Sequence, residues 1–194
     1  MQDTIDDLEL ALATTGRLVA AIEPDQWSAP TPCDGWDVTT VVNHVVGGMR
    51  LYAAELTGTD AGAEHEDDWL GNDPLAAYRD AATQVLAAWR SPGAEQRTIG
   101  LSFGTVPAPL AAIVELTEIV VHGLDVAVAT GQEAAVDQVQ AERLLALMAG
   151  MGIEGFRAPG IFGPEQPAPA DAPAHRRLLA FLGRTGAVPV PAAG

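Results

Sequence analysis

The chain has 194 residues, of which 26 are acidic and 10 are basic, giving a formal net charge of −16. A field of this sign repels nucleic acid and anionic membranes, so both are excluded as partners. Every basic residue is an arginine, which excludes the two common uses of lysine, Schiff-base chemistry and phosphate binding in a P-loop. The length suffices for a sizeable core, and we expect a single domain over residues 1–194.

The first predicted element is a helix over residues 3–22, in which apolar side chains recur every three or four residues. Prolines and a glycine then interrupt regular structure in the segment PDQWSAPTPCDGW, whose two tryptophans indicate an ordered loop packed on the helices. Asp37 is a suitable N-cap for a second helix that ends near Leu56. An acidic loop follows, and the pair Asp73-Pro74 predicts the start of a third helix.

Further along, the segment RTIGLSFGTVP is predicted to be extended or to form a small hairpin. Pro107 opens a fourth helix, and Gly131 closes it. A fifth helix over residues 137–153 and a short sixth helix capped by Asp171 follow, separated by a Pro-rich segment without regular structure.

The fold class is therefore all-α, a four-helix bundle with short extra C-terminal helices. The bundle is expected to cover about residues 3–155, and a Pro-rich wrap with a short terminal helix is expected over 156–194.

Three side chains in the second and fourth helices have the chemistry and spacing of metal ligands. Glu118 and His122 are four residues apart, so on a helix they project the same way from successive turns. His44, in the other long apolar helix, is the candidate for a third ligand. Three protein ligands leave one coordination position open, as in catalytic zinc sites. We therefore predict that His44, Glu118 and His122 bind zinc or another divalent metal.

The fourth helix also carries Glu115 and Asp125, which extend Glu118 and His122 into a polar stripe with spacings of three, four and three residues. The simpler interpretation is the solvated face of an amphipathic helix. Apolar residues cover much of the remaining circumference, however, and a buried carboxylate is costly unless it is paired or binds a metal. Spacing alone leaves these two interpretations about equally supported.

Other candidates are weaker. A small buried thiol is a simpler interpretation of Cys33, the only cysteine, than a nucleophile. Several other charged or titratable side chains are expected to be solvated, although the arginines among them could instead bind a carboxylate: His65, His175, Arg176, Arg177 and Arg184. Beside His44, the pair Gly47-Gly48 indicates either close helix packing or space for a ligand, and the sequence leaves both open.

Features of the whole chain predict a soluble, cytoplasmic protein. The N-terminus MQDTIDDLEL is acidic and amphipathic, unlike a signal peptide. Charged residues interrupt the longest apolar run before it reaches membrane-spanning length. The single cysteine excludes an internal disulfide and fits a reducing compartment. Small bundles often form homodimers, and no sequence pattern decides between a homodimer and a monomer.

Three segments together resemble the DinB/YfiT-like superfamily: WSAPTPCDGWDVTTVVNHVVGG, ELTEIVVHGLDVAVATG and ADAPAHRRLLAFLGR. Within it, the chain resembles actinobacterial metal-binding proteins related to the N-terminal metal-binding domain of mycothiol-dependent maleylpyruvate isomerases. The resemblance covers nearly the whole chain. It implies a four-helix bundle with a zinc site formed by a histidine of the second helix and a Glu-x-x-x-His pair, positions that fall on His44, Glu118 and His122. Mycothiol is the co-substrate that the resemblance implies.

The leading hypothesis is a zinc-dependent transferase or isomerase that uses a small-molecule thiol of the mycothiol type on a small electrophilic substrate. Zinc bound by two imidazoles and one carboxylate keeps a net positive charge and would stabilise a thiolate in the open position. Asp125 or Glu115 would orient a histidine through its second ring nitrogen. Two alternatives remain open: a hydrolase that uses zinc-bound water, and a non-catalytic metal-binding module that binds a partner protein.

Overall fold

Six α-helices, three short 3-10 helices and one hairpin form the regular structure of residues 1–101, 104–158 and 161–184, the part of the chain that the computed structural model describes. The helices are α1 (Gln2–Ala20), α2 (Val38–Thr57), α3 (Pro74–Trp89), α4 (Ala108–Ala129), α5 (Gln138–Met151) and α6 (Ala174–Phe181). The strands β1 (Thr98–Leu101) and β2 (Gly104–Pro107) pair in an antiparallel hairpin before α4. Residues 102–103 of the segment predicted to be extended, 159–160 of the Pro-rich segment and 185–194 of the predicted wrap lie outside the described residues.

Side-chain caps explain where the helices begin. The carboxylate of Asp37 accepts a hydrogen bond from the backbone N–H of Thr40, and Asp73 accepts one from Ala76. Asp137 caps α5 in the same way. Gly131 has a positive φ of 71° directly after α4, a conformation that favours glycine. The predicted starts of α2, α3 and α5 and the predicted end of α4 are therefore confirmed.

Helices α1 to α4 form the predicted bundle. Helix α1 packs against α3 and α4, and α2 packs against the same two helices, so α1 and α2 lie diagonally opposite. A shared hydrophobic core runs through the bundle and continues into α5 and α6. The all-α fold class is confirmed, with one short hairpin added. Within the described residues, no helix combines the length and apolarity needed to span a membrane.

The C-terminal segment packs on the bundle through α5 and α6, which contact each other, while α6 also contacts α4. The prediction that Asp171 caps the last helix is wrong: the helix begins at Ala174 with Pro173 at the N-cap position. Asp171 lies in a turn two residues earlier, because Pro173 itself sets the start. The Pro-rich segment contains a single bridge, Arg157 with Phe162, among its described residues.

Candidate metal centre

Helices α2 and α4 bring the three predicted ligands together. Glu118 Oε2 lies 3.2 Å from Nε2 of His44 and 3.2 Å from Nε2 of His122. The three candidate ligand atoms all lie within 4.8 Å of one another. The side chain of Glu118 is 39 % exposed, whereas that of His122 is 6 % exposed. The site therefore opens to solvent on the Glu118 side and is closed behind His122.

Burial and hydrogen bonds together determine which of the three candidate ligands are charged. Burial alone would raise the pKa of Glu118, but hydrogen bonds from His122 and His44 outweigh it and hold that pKa well below its usual range. Burial alone would lower the pKa of His122, but hydrogen bonds to Asp125 and Glu118 raise it to about 9. Burial lowers the pKa of His44, in spite of its bond to Glu118. Without metal, a carboxylate therefore lies between a neutral imidazole and a protonated one.

Asp125 lies where the sequence analysis expects a residue that orients a histidine. Its Oδ2 is 3.1 Å from Nδ1 of His122, and the residue is fully buried. With Nδ1–H donated to Asp125, Nε2 is the nitrogen that faces Glu118 and His44. The same Oδ2 lies 3.5 Å from Nη2 of Arg184. Arg184 is only 9 % exposed, so it is not solvated, and it binds a carboxylate, which is the alternative that the sequence left open.

Glu115 does not take the role that was predicted for it. Its carboxyl accepts a hydrogen bond from the indole N–H of Trp89, and neither imidazole of the centre is its partner. Burial, only partly offset by the Trp89 bond, raises the pKa of Glu115 to about 8, so the group is a neutral acid at pH 7. Its second oxygen and the hydroxyl of Tyr52 are both buried and have no hydrogen-bond partner within the described part of the chain. Glu115 belongs to the bundle core.

Two aromatic side chains that the sequence analysis did not assign to the site surround the imidazoles. Trp36 lies against both rings, with centroids 4.8 Å from His44 and 5.7 Å from His122. His65 stacks on His44 with centroids 4.3 Å apart, and its Nε2 lies 3.0 Å from the carbonyl oxygen of His44. The prediction of a solvated His65 is therefore wrong. These rings pack on His44, whose side chain is 27 % exposed.

The glycine pair in α2 serves close packing. A Cβ atom at Gly47 would lie 2.6 Å from Nε1 of Trp69 and 3.0 Å from the ring of His65. The absence of a side chain there allows the acidic loop to pack onto the helix, with Trp69 seated against Gly47. Of the two interpretations left open by the sequence, close packing is the one that Gly47 supports.

His175, also predicted to be solvated, is 3 % exposed and distant from the centre. Its Nε2 lies 2.7 Å from Oε1 of Glu133, and its Nδ1 lies 2.8 Å from Nε2 of Gln138. The prediction of solvation is wrong because the short helix α6 turns this face onto α5. His175 ties the two C-terminal helices together.

A second set of potential ligands, Cys33, His122 and Asp125, also lies within 4.8 Å. Burial and the charge of Asp125 raise the pKa of the Cys33 thiol to about 11, so the thiol is protonated. Arg184 lies beside the Asp125 carboxylate, and its positive charge disfavours a cation at that position. The set formed by His44, Glu118 and His122 has a partly exposed carboxylate, and no arginine of the described residues forms an ion pair with it, which makes it the better candidate.

Comparison with known proteins identifies related sequences and folds. Residues 8–127 match the family model described as the mycothiol maleylpyruvate isomerase N-terminal domain. Two Mycobacterium tuberculosis proteins described as uncharacterized, from strains CDC 1551 / Oshkosh and ATCC 25618 / H37Rv, are each 35 % identical over 170 residues, covering 87 % of this chain and 90 % of their own. The fold is similar to a crystal structure of the mycothiol-dependent maleylpyruvate isomerase, with a TM-score of 0.55, 17 % identity, and coverage of 75 % of this chain and 67 % of that one. A histidine-to-alanine mutant of that enzyme gives a TM-score of 0.54 at 16 % identity.

Proposed function

This chain belongs to the mycothiol maleylpyruvate isomerase N-terminal domain family, and from that premise we propose that it is a zinc-dependent enzyme that uses a small-molecule thiol. The thiol is of the mycothiol type, and the substrate is a small electrophile to which a thiol adds. The matched residues, 8–127, include His44, Glu118 and His122. The reaction class is that of a transferase or an isomerase.

The observation that carries the proposal is the spacing of the ligand atoms. In a tetrahedral zinc site, nitrogen and oxygen ligands about 2.0–2.1 Å from the ion lie about 3.3 Å from one another. Glu118 Oε2 lies 3.2 Å from the Nε2 atoms of both His44 and His122. These two separations match two edges of such a tetrahedron. The donor set of two imidazoles and one carboxylate is also one that zinc accepts at catalytic sites.

The residues around this set favour activation of an added thiol. Bound zinc would lower the pKa of a thiol in the open coordination position from about 8.5 towards neutrality. Asp125 holds the ring of His122 through Nδ1, so that Nε2 stays directed at the centre. Trp36 and His65 pack against the His44 ring and hold it in place. The partly exposed side of Glu118 is the direction from which a thiol and its substrate would approach.

The chain's own thiol does not provide the nucleophile. Cys33 has a pKa of about 11, raised by burial and by Asp125, so its thiolate is a very small fraction at neutral pH. The pKa of a thiol that comes from solution is not raised beforehand by burial or by Asp125. The thiol would therefore come from solution, and the support for a thiol of the mycothiol type is the family to which the chain belongs.

Metal content is the test of the site. We expect about one zinc per chain by mass spectrometry in the wild type after dialysis without chelator. His122→Ala and Glu118→Ala should lose it, whereas Cys33→Ser should keep it. Retention in Glu118→Ala together with loss in Cys33→Ser would place the metal on the second set of ligands. A wild type that stays metal-free when zinc is offered would overturn the proposal and favour the non-catalytic module.

Turnover of the zinc-loaded protein then tests the chemistry. We expect consumption of an activated alkene or epoxide only when mycothiol or a comparable thiol is present. Hydrolysis of an ester or amide without any thiol would instead favour the hydrolase. Glu118→Ala is the negative control. It should lose the metal, and with it the activity, while the helices remain folded.

A further inference from the structure

A buried arginine from the far end of the chain stands behind the candidate metal centre. Arg184 follows α6 and lies outside residues 8–127, the part that matches the family model. Its Nη2 is 3.5 Å from Oδ2 of Asp125, and the same oxygen is 3.1 Å from Nδ1 of His122. Arg184, Asp125 and His122 thus form a row that leads from the C-terminal segment to the candidate ligands.

The segment around Arg184 is held in place by contacts of its own. The N–H of Arg184 donates to the carbonyl of Leu179 at 2.9 Å. Gly183, with a positive φ of 85°, packs so closely on Gly163 that a Cβ atom would overlap its backbone. Arg157 donates from Nη1 to the carbonyls of Gly163, at 2.7 Å, and of Phe181, at 3.0 Å. The backbone at Arg184 is therefore fixed independently of Asp125.

Asp125 needs a cation at this position. The residue is 0 % exposed, and a buried carboxylate is strongly destabilising unless its charge is compensated. Among the described residues, its ion-pair partners are His122 and Arg184. A histidine that binds a metal does so as a neutral imidazole, so in the loaded site Arg184 is the partner with a full positive charge.

We infer that Arg184 is a positioning residue of the metal centre: it fixes the Asp125 carboxylate, which in turn orients His122 towards the metal. The inference rests on the proposed function insofar as it takes His44, Glu118 and His122 to be the ligands. It adds that a residue beyond the matched part of the chain sets the affinity of the centre. Removing a group that orients a metal-binding histidine weakens metal binding by about 10- to 100-fold.

The test is the zinc dissociation constant, measured by competition with a chromophoric chelator. Arg184→Met keeps the length and apolar bulk of the side chain but removes the charge, and should weaken zinc binding by about 10- to 100-fold. Arg184→Lys keeps the charge and should lie closer to the wild type. Arg177→Met is the matched control, because Arg177 lies in α6 and pairs with Glu142 of α5, away from the centre. We expect the control to bind zinc as the wild type does.

A double-mutant cycle with Asp125→Asn separates positioning from a general loss of stability. If Arg184 acts through Asp125, Arg184→Met should weaken binding little further in the Asp125→Asn background. The inference would be overturned if the effects of the two substitutions on zinc affinity were fully additive, or if Arg184→Met bound zinc as tightly as the wild type. The melting temperature of each metal-free variant confirms that folded protein is being titrated. A wild type that binds no zinc would overturn the proposed function instead, so the two failures are distinguishable.

Discussion

Gly123 of α4 lies directly against the side chain of Thr15 of α1. A Cβ atom added at Gly123 would overlap Oγ1 of Thr15 and would lie 3.3 Å from its Cβ and Cγ2. Thr15 is 4 % exposed, and its hydroxyl donates to the carbonyl of Ile119 at 3.2 Å, so it cannot turn away without losing a buried hydrogen bond. This contact sets the distance between α1 and the helix that carries two of the candidate ligands.

Gly123→Ala should therefore destabilise the protein. Inserting a methyl group into this contact costs about 1–3 kcal/mol, because the two helices must separate or Thr15 must leave its rotamer. Urea unfolding of the metal-free protein measures the change. Gly150→Ala in α5 is the matched control, since among the described residues no side chain or other packed segment lies within 4 Å of the added Cβ. That variant should gain up to about 1 kcal/mol from helix propensity. Equal stability of the two variants would contradict a tight α1–α4 contact.

Zinc binding should release about one proton per chain at pH 7. In the metal-free protein the pKa of His122 is raised to about 9, so its Nε2 carries a proton that a metal must displace. The pKa of His44 is lowered and that of Glu118 is held low, so neither adds a proton. Affinity should rise about tenfold per pH unit until about pH 9. Calorimetry in buffers of different ionisation enthalpy counts the protons, and Asp125→Asn should release fewer. Zero protons in the wild type would contradict the assignment of His122.

The buried acid Glu115 should make stability fall as the pH rises. Its pKa in the folded protein is about 8, against an ordinary value of 4.5. Between these two values the folded state holds a proton that the unfolded chain has released, so raising the pH favours unfolding by up to about 1.4 kcal/mol per pH unit. Glu115→Gln removes this dependence and should gain stability relative to the wild type from about pH 5 to about pH 8.

Denaturant unfolding across that pH range, with chelator present, provides the comparison for Glu115. Glu66→Gln, at an exposed position, is the control and should run parallel to the wild type. A constant difference between Glu115→Gln and the wild type at every pH would show that Glu115 is ionised in the folded state.

Cys33 should react slowly with alkylating reagents at neutral pH. Its pKa of about 11 lies roughly 2 units above that of a free thiol, so the thiolate fraction at pH 7.5 falls about 100-fold. As the only cysteine, it is the sole site at which iodoacetamide labels a thiol. Labelling rates by mass spectrometry should stay far below those of a small free thiol until the pH exceeds about 10. A rate at pH 7.5 equal to that of the free thiol would contradict the raised pKa of the half-buried Cys33.

Local signals were sufficient to predict most of the fold. The caps Asp37, Asp73 and Asp137 act within three residues of the side chain, so the sequence near each helix start determines it. Apolar periodicity then identified the four long helices of the bundle. The resemblance to the isomerase-related family is confirmed by the match over residues 8–127. Asp171 was misassigned because two capping signals, Asp171 and Pro173, compete within one turn.

The centre was only partly predictable. Glu118 and His122 share one helix face, so their approach follows from the four-residue spacing. Arg184, Trp36 and His65 reach the site from loops or from the chain end, where no periodic pattern indicates a direction. Their positions depend on packing between segments distant in sequence. Glu115 has the helical spacing of the polar stripe, but its carboxyl bonds to Trp89. Trp89 lies at the end of α3, so this contact depends on how α3 packs against α4, which the sequence of α4 does not reveal.

The candidate ligands and Arg184, which lies behind them, come from different parts of the chain. The candidate ligands lie on α2 and α4, and both helices end before α5 begins. Arg184, which pairs with Asp125 behind these ligands, follows α6. Because the hydrophobic core of the bundle continues into α5 and α6, a substitution at Arg184 alone changes the environment of Asp125 with the least disturbance of that packing. A protein engineer could therefore keep both the bundle and the last helix constant, and vary position 184 to adjust the affinity of the candidate centre.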